Sequence, residues 1–186
     1  MEKKLTRDEL LKNLIKQAND IFTTCEQKYD IRKILETSSN FKGKNHIFLV
    51  QCFFDKENPL FTVTEEQAIE QADLAFKEGN TFSYYYLALL LKDKNPVKAR
   101  NYLRISCDCA FPQAYLEMAK CKHYGVLFLQ DRKGAMEYYR KASLCGMKEG
   151  YEGMLKLYSE DGNYEAEKKV YDEALKKGIK LSGIVS

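Results

Sequence analysis

Apolar residues recur every three to four positions along most of this 186-residue chain, which is the spacing of amphipathic helices. The first predicted helix follows a capping-box pair, Thr6 and Glu9. Its apolar face consists of Leu10, Leu11, Leu14, Ile15, Ala18, Ile21, Phe22 and Cys25. A shorter second helix is indicated by Ile31, Ile34 and Leu35, and it is interrupted by Ser38, Ser39, Asn40 and Gly43.

From His46 onward the pattern becomes a repeat of helix, connector, helix and small residue. Thr64 and Gln67 form a second capping box, and Gly162 marks a tight turn between two helices. The small residues that close the repeats are Gly79, Ala110, Gly146 and Gly178, which are 31, 36 and 32 residues apart. Repeats of two helices with this length are typical of an α-solenoid, so we predict an all-α fold.

Other residues keep a fixed distance from the closing residues. Those four positions earlier are Ala75, Ser106, Ala142 and Ala174, and those eleven positions earlier are Ala68, Ala99, Ala135 and Glu167. Four positions after three of the closing residues stand Ser83, Ala114 and Gly150. Small side chains at these steps let the second helix of each hairpin pack closely on the first. Larger residues seven positions before the closing residues are expected to fill the space between hairpins: Leu103, Tyr139 and Tyr171.

We predict one helical-repeat domain over residues 1–186, because only 3 Pro and 10 Gly occur and no flexible linker is visible. Its predicted parts are capping helices in 1–43, hairpins at 44–79, 80–110, 111–146 and 147–178, and a tail at 179–186. The tail offers Ile179, Leu181, Ile184 and Val185 to cover the last hairpin. It is expected either to fold back over Tyr171 and Ala174 or to leave a face that pairs with a second copy. The protein is therefore expected to be a monomer or a weak homodimer.

One full repeat resembles a known family. Ala114-x-x-x-Met118-Ala119, followed by Gly125, Asp131, Ala135, Tyr139, Ala142 and Gly146, is similar in residues and spacing to the Sel-one-like repeat, a relative of the tetratricopeptide repeat. The units that open at Ser83 and Gly150 are similar but have shorter loops. Where the family has a Gly-x-Gly-Val loop, this chain reads Gly125-Val-Leu-Phe, and Gly134 replaces a loop lysine. The resemblance covers roughly three quarters of the chain.

The resemblance implies a right-handed α-solenoid of antiparallel helical hairpins with an N-terminal helical cap, in which the first helix of each hairpin lines a concave groove. Carried over to this sequence, the residues expected to face the groove are Tyr85, Leu89, Lys92, Leu116, Lys120, His123, Glu152 and Lys156. The middle of this groove is basic, which suits an acidic segment or a C-terminal carboxylate of a protein partner. The alternative is that these lysines only solvate an exposed face.

Function is expected to be binding and not catalysis. The sequence has two histidines, His46 and His123, and it lacks a Gly-rich phosphate loop, His-Glu-x-x-His and Gly-x-Ser-x-Gly. We therefore expect no catalytic residues and no cofactor, and predict a protein-interaction adaptor or scaffold. The alternative is a secreted or intracellular effector that inhibits a partner enzyme.

The charge and hydropathy of the chain argue against two classes of partner, nucleic acids and membranes. The net charge of +3 comes from 30 basic and 27 acidic residues spread along the chain, so nucleic acid is not an expected partner. The longest apolar run, Tyr84 to Leu91, is too short to cross a bilayer, so no membrane partner is expected. No secretory signal is visible at the amino terminus. A cytoplasmic location is expected.

The six cysteines raise two further possibilities, a zinc site and disulfide bonds. Cys107 and Cys109, with Cys121 and His123, resemble a zinc-ligand set, but residues two apart on one helix point about 200° apart. Free thiols are therefore the favoured interpretation, and no metal is expected. In secreted relatives a cysteine at the position of Cys107 has a mate eight residues later, where this chain has Tyr115. Reduced thiols are accordingly expected.

Overall fold

The structure is a computed structural model that describes residues 43–55 and 63–181, with the side chains of Lys44 and Asn45 excepted. The predicted helices before Gly43, with Cys25, and the tail residues Ile184 and Val185 lie outside the described residues. All regular structure in the described part is α-helical. Its helices are α1 (Lys44–Phe54), α2 (Glu65–Lys77), α3 (Phe82–Leu90), α4 (Pro96–Asp108), α5 (Pro112–Tyr124), α6 (Arg132–Leu144), α7 (Lys148–Glu160) and α8 (Tyr164–Lys176).

The chain divides between Asn80 and Thr81 into two compact units. In the first unit α1 packs against α2, and the imidazole Nδ1 of His46 on α1 lies 2.7 Å from the Oε1 atom of Gln71 on α2. Both helices contribute apolar residues to the interior, namely Ile47, Leu49, Val50, Ala68, Ala72 and Ala75. The single-domain prediction for residues 1–186 stays a prediction.

The second unit contains three consecutive helical pairs, α3 with α4, α5 with α6, and α7 with α8, in which each helix also packs on the next along the chain. An apolar cluster between the first two pairs includes Leu103, Met118 and Cys121. A second cluster joins the last two pairs and includes Leu116, Tyr139 and Tyr151. This stacking of hairpins is the α-solenoid arrangement that the repeat pattern predicts.

The second helix of every pair begins at a polar residue whose side chain accepts a hydrogen bond from the backbone N–H three positions later. These residues are Thr64, Asn95, Asp131 and Asn163. Thr64 and Gln67 form the complete capping box that the sequence predicts, with the Gln67 side chain accepting from the Thr64 N–H at 2.9 Å. Such caps satisfy N–H groups that have no partner within the helix, so the helix starts are set locally.

The four closing residues all adopt left-handed backbone conformations, with φ of 77° at Gly79, 57° at Ala110, 82° at Gly146 and 74° at Gly178. After each one, the next N–H donates to the carbonyl four positions before the closing residue, as from Met147 to Ala142 at 3.1 Å. This bond is the mark of a Schellman motif, which ends a helix and reverses the chain. The small residues that supply these carbonyls, Ala75, Ser106, Ala142 and Ala174, are fully buried.

The close approach of α6 and α7 explains why position 150 is a glycine. A Cβ atom at this position would lie 2.5 Å from the backbone nitrogen of Ser143 and 2.7 Å from the carbonyl oxygen of Tyr139. Beyond α8, Ile179 and Leu181 pack against the cluster that contains Ala174. These two tail residues therefore fold back onto the last hairpin.

Candidate functional site

The predicted groove residues divide into an exposed group and a buried pair. Lys120 and Lys156 are exposed, and Tyr85, Leu89, Lys92 and Glu152 are partly exposed. Leu116 and His123 are buried, with 9% and 2% of their surface accessible. The expectation that these two line a groove is therefore wrong. The other six remain a predicted binding set.

Burial of Leu116 and His123 follows from the position of α5 in the stack. This helix contacts α4 and α6, and Leu116 also belongs to the cluster formed with α7. Its buried side is consequently wider than the stripe that a single hairpin would cover. On one face of this helix Gln113, Lys120 and Tyr124 are exposed and Glu117 is partly exposed, and the four follow one another at helical spacing. Glu117 and Tyr124 were not predicted, although their spacing from Lys120 is the signal that could have found them.

Carboxylates on this surface are held by lysines of the same chain. The Lys92 ammonium lies 3.4 Å from Oε1 of Glu117, which links the end of α3 to α5. On α7, Lys148 and Glu152 form an ion pair at 3.1 Å. Burial, followed by the charge of Glu117, raises the pKa of Tyr85 to about 12, so this phenol is neutral at physiological pH.

Lys156 and Tyr124 connect α7 to α5 at the surface. The Lys156 ammonium donates to the Tyr124 hydroxyl at 2.9 Å and lies 5.2 Å from the centre of its ring. This hydrogen bond raises the pKa of Lys156 above its ordinary value. Because the hydroxyl oxygen accepts from Lys156, its own hydrogen is available to an external acceptor.

Lys120 lies one helical turn before Tyr124 on the same face of α5. Within the part of the chain that the structure describes, its ammonium makes neither a hydrogen bond nor an ion pair with a side chain. Lys120, Tyr124 and Lys156 together form what we call the donor surface, since each has a proton to offer. Such a surface is suited to a carboxylate or another anion.

A buried polar network lies beneath the donor surface. Nε2 of His123 lies 3.0 Å from Oε2 of Glu160, and Nδ1 lies 3.3 Å from the Tyr139 hydroxyl. The Tyr124 ring stacks on the imidazole with 4.3 Å between centres. Arg132 donates to Glu160 at 2.8 Å and holds its pKa below the ordinary value, with a further contribution from His123. An ionised carboxylate can only accept hydrogen bonds, so Nε2 of His123 donates to Glu160.

The cysteine and histidine side chains do not assemble a metal site in the described ranges. Cys107 and Cys121 are buried and Cys109 is exposed, all three as free thiols. Burial is the largest cause that raises the pKa of Cys107 to about 12 and that of Cys121 to about 11. No group of three or more possible metal ligands occurs among residues 43–55 and 63–181.

The loop between α5 and α6 shows how the chain departs from the family pattern. Leu127, in place of a family glycine, adopts a left-handed φ of 63°. At Gly134, in place of a lysine, a Cβ atom would collide with the Asp131 carboxylate, which pairs with Lys122 at 2.7 Å. The loop therefore keeps a glycine-like backbone at Leu127, and Gly134 leaves room for the ion pair.

Over the described helices, none combines the length and the apolar character needed to span a bilayer.

Two solved structures with a similar arrangement are described as having an SLR fold or Sel1 repeats. A protective antigen of uropathogenic Escherichia coli strains that displays an SLR fold is similar over 81% of this chain and 34% of its own, with a TM-score of 0.63 and 19% identity. A Sel1 repeat protein from Oxalobacter formigenes is similar over 69% of this chain and 37% of its own, with a TM-score of 0.55 and 18% identity. No family model and no curated protein matches the sequence.

The chain thus has the all-α solenoid fold of the Sel-one-like repeat (SLR) proteins, which confirms the resemblance seen in the sequence at the level of the fold. It spans about a third of the length of these two solved structures.

Proposed function

We propose that this protein is a non-catalytic protein-interaction adaptor whose second unit binds an acidic segment of a partner protein at the donor surface. The observation that carries the proposal is the hydrogen bond from Lys156 to Tyr124, with Lys120 one turn away. Repeat solenoids commonly use the exposed faces of successive helices to bind protein segments. Charge complementarity favours a partner segment rich in Asp and Glu.

The ion pairs around the donor surface support an anionic ligand. Glu117 and Glu152 are each paired with a lysine of this chain, Lys92 and Lys148. Among the residues that the structure describes, no carboxylate is in hydrogen-bond contact with Lys120 or Lys156, although the charge of Glu160, which Arg132 binds, acts on Lys156. An acidic segment would therefore meet two cations and one phenolic donor.

A binding function also fits the state of both histidines. The ring nitrogens of His46 face Gln71 at 2.7 Å and Glu78 at 3.5 Å, and those of His123 face Tyr139 and Glu160. General acid–base catalysis needs an imidazole nitrogen within reach of a substrate. Here each ring is already held by side chains of its own unit.

The proposal is tested with a fluorescein-labelled peptide of ten glutamates, with affinity measured by fluorescence anisotropy at low salt. Lys120→Glu combined with Lys156→Glu should weaken binding at least tenfold, because two attractive contacts become repulsive. Lys98→Glu combined with Lys168→Glu is the matched control, since it changes the net charge equally on α4 and α8. Equal losses of affinity in both double variants would mean that net charge alone explains the effect, which would refute the proposal. Unchanged affinity in the variant with Lys120→Glu and Lys156→Glu would also refute it.

A further inference from the structure

The loop between α5 and α6 is held in place at its base. The Val126 N–H donates to the Cys121 carbonyl and the Asp131 N–H to the Lys122 carbonyl, both at 2.9 Å. The Gln130 side chain also donates to the carbonyl of His123 at 2.9 Å. The two ends of the loop are thus fixed to the last turn of α5.

Helix α4 of the preceding pair holds the middle of the loop. Arg100 donates to the carbonyl oxygen of Leu127 at 3.2 Å, and the guanidinium of Arg104 lies 5.4 Å from the centre of the Phe128 ring. Leu127 and Phe128 pack against the apolar cluster between the first two pairs. The loop is therefore an ordered part of the second unit, because side chains of α4 and backbone carbonyls of α5 bind it.

This ordered loop presents apolar side chains to solvent. Leu129 is 92% exposed, Val126 is 43% exposed and the neighbouring Tyr124 is 53% exposed. Single exposed apolar residues are ordinary on protein surfaces. Three of them within six positions, on a backbone held by hydrogen bonds, provide a preformed apolar contact that costs little conformational entropy when a partner binds.

The apolar loop and the donor surface meet at the same place. Tyr124 is the last residue of α5, its hydroxyl holds Lys156, and the loop begins at the next residue. Cations also border the loop, since Arg100 and Arg104 hold it from α4, while the carboxylate of Asp131 is neutralised by Lys122. The loop that carries Leu129 is therefore bordered by two cations of α4, which favour carboxylates on a bound segment.

We propose that Val126 and Leu129 form an apolar subsite for an acidic protein segment that carries a large apolar side chain beside its carboxylates. The apolar side chain packs on Leu129 and Val126 while the carboxylates bind the donor surface. This inference rests on the proposed function and specifies the partner further: an acidic segment with an apolar residue, as opposed to a purely acidic one.

Two labelled peptides test the inference, the ten-glutamate peptide and a second one in which two central glutamates are replaced by leucine. The wild-type chain should bind the leucine-containing peptide about fivefold to tenfold more tightly, since packing one leucine against an apolar surface removes apolar area from water. Leu129→Gln should abolish this difference and leave the affinity for the ten-glutamate peptide unchanged. Thermal unfolding of the variant should match the wild type, because Leu129 is almost fully exposed.

Leu144→Gln is the matched control. Leu144 is 69% exposed and stands at the far end of α6, about 18 Å along the helix from the loop. This variant should keep the full preference for the leucine-containing peptide. Loss of preference in both variants would overturn the assignment to the loop.

The two proposals fail in different ways. If the wild type does not bind the ten-glutamate peptide, the donor surface itself is refuted. If it binds both peptides equally, only the apolar subsite is refuted.

Two further measurements complete the test. Vesicles of phosphatidylcholine and phosphatidylglycerol are sedimented to detect membrane binding, and light scattering measures the mass of the protein in solution. Vesicle binding or self-association that is lost in Leu129→Gln while peptide preference is retained would overturn the inference in favour of a lipid surface or a second copy.

Discussion

Nε2 of His123 lies 3.0 Å from the carboxylate of Glu160, and this contact joins the end of α5 to the end of α7 across 37 positions of sequence. Arg132, at the start of α6, binds the same carboxylate oxygen at 2.8 Å and reaches Asp161 at 2.6 Å. Three helices of two neighbouring hairpins therefore share one polar network. The network ties together the elements that carry the donor surface.

We expect Glu160 to make stability depend on pH. Hydrogen bonds from Arg132 and His123 lower its pKa in the folded state below the ordinary value of 4.5. A lowered folded-state pKa contributes stability that is present above about pH 4.5 and is lost as the pH falls through the folded-state value. Glu160→Gln should therefore flatten the acid side of the stability profile, measured by urea unfolding at pH 7, 5, 4 and 3.

Glu149→Gln is the control for this experiment, because Glu149 is exposed on the same helix and outside the network. It should leave the acid side of the profile as in the wild type. A Glu160→Gln profile that is parallel to the wild type at every pH would contradict the role assigned to Glu160.

We expect Ala110→Gly to stabilise the protein by about 0.5–1 kcal/mol. Ala110 has a φ of 57°, which L-residues with a Cβ atom adopt only with strain, while the equivalent residues of the other repeats are glycines. Relief of that strain should outweigh the larger entropy of an unfolded chain with one more glycine. Gly146→Ala, the reverse change at an equivalent position, should destabilise by about 1 kcal/mol in urea unfolding. Destabilisation by Ala110→Gly, or stabilisation by Gly146→Ala, would contradict the equivalence of the two positions.

Enlargement of a fully buried small residue should destabilise the hairpins. Ala142→Leu inserts three carbons where α6 meets its neighbours with no accessible surface, and the expected loss is roughly 1–3 kcal/mol. Glu137→Leu places the same side chain on the exposed face of α6 and should change stability by no more than about 0.5 kcal/mol. Thermal unfolding measures both, and an unchanged melting temperature for Ala142→Leu would mean that the repeat register is wrong.

Cysteine reactivity should follow burial. Cys109 and Cys145 are exposed, whereas Cys107 and Cys121 are buried with pKa values raised to about 12 and 11. Since the thiolate is the reactive form, iodoacetamide at pH 8 should label the exposed pair within minutes and the buried pair only after unfolding in urea. Peptide mass spectrometry identifies the labelled sites. Rapid labelling of Cys107 in the folded protein would contradict its buried position.

The starts and ends of the helices are largely readable from the sequence, because they depend on neighbouring residues. Thr64 caps α2 through a residue three positions away, and Gly146 ends α6 because a left-handed backbone favours glycine there. The small residues at fixed distances from the closing residues were likewise predicted, since close helix packing leaves no room for larger side chains. These features could therefore be predicted from residues that lie close together in the sequence.

Which side chains reach the surface of α5 was decided only by the tertiary structure. The resemblance to the Sel-one-like repeat placed His123 and Leu116 in a groove, but α5 has neighbours on several sides, and both residues are buried among them. Tyr124 belongs to the donor surface because its hydroxyl accepts a hydrogen bond from Lys156, which is 32 positions away in the sequence.

Contacts over such distances depend on how one hairpin stacks on the next, and no periodicity within a single helix contains that information. The sequence by itself therefore determined the helices, their ends and the repeat that makes them a solenoid. The stacking of hairpins decided which cations remain exposed and which histidine is enclosed, because burial is a property of all the helices that surround a residue and not of the helix that carries it.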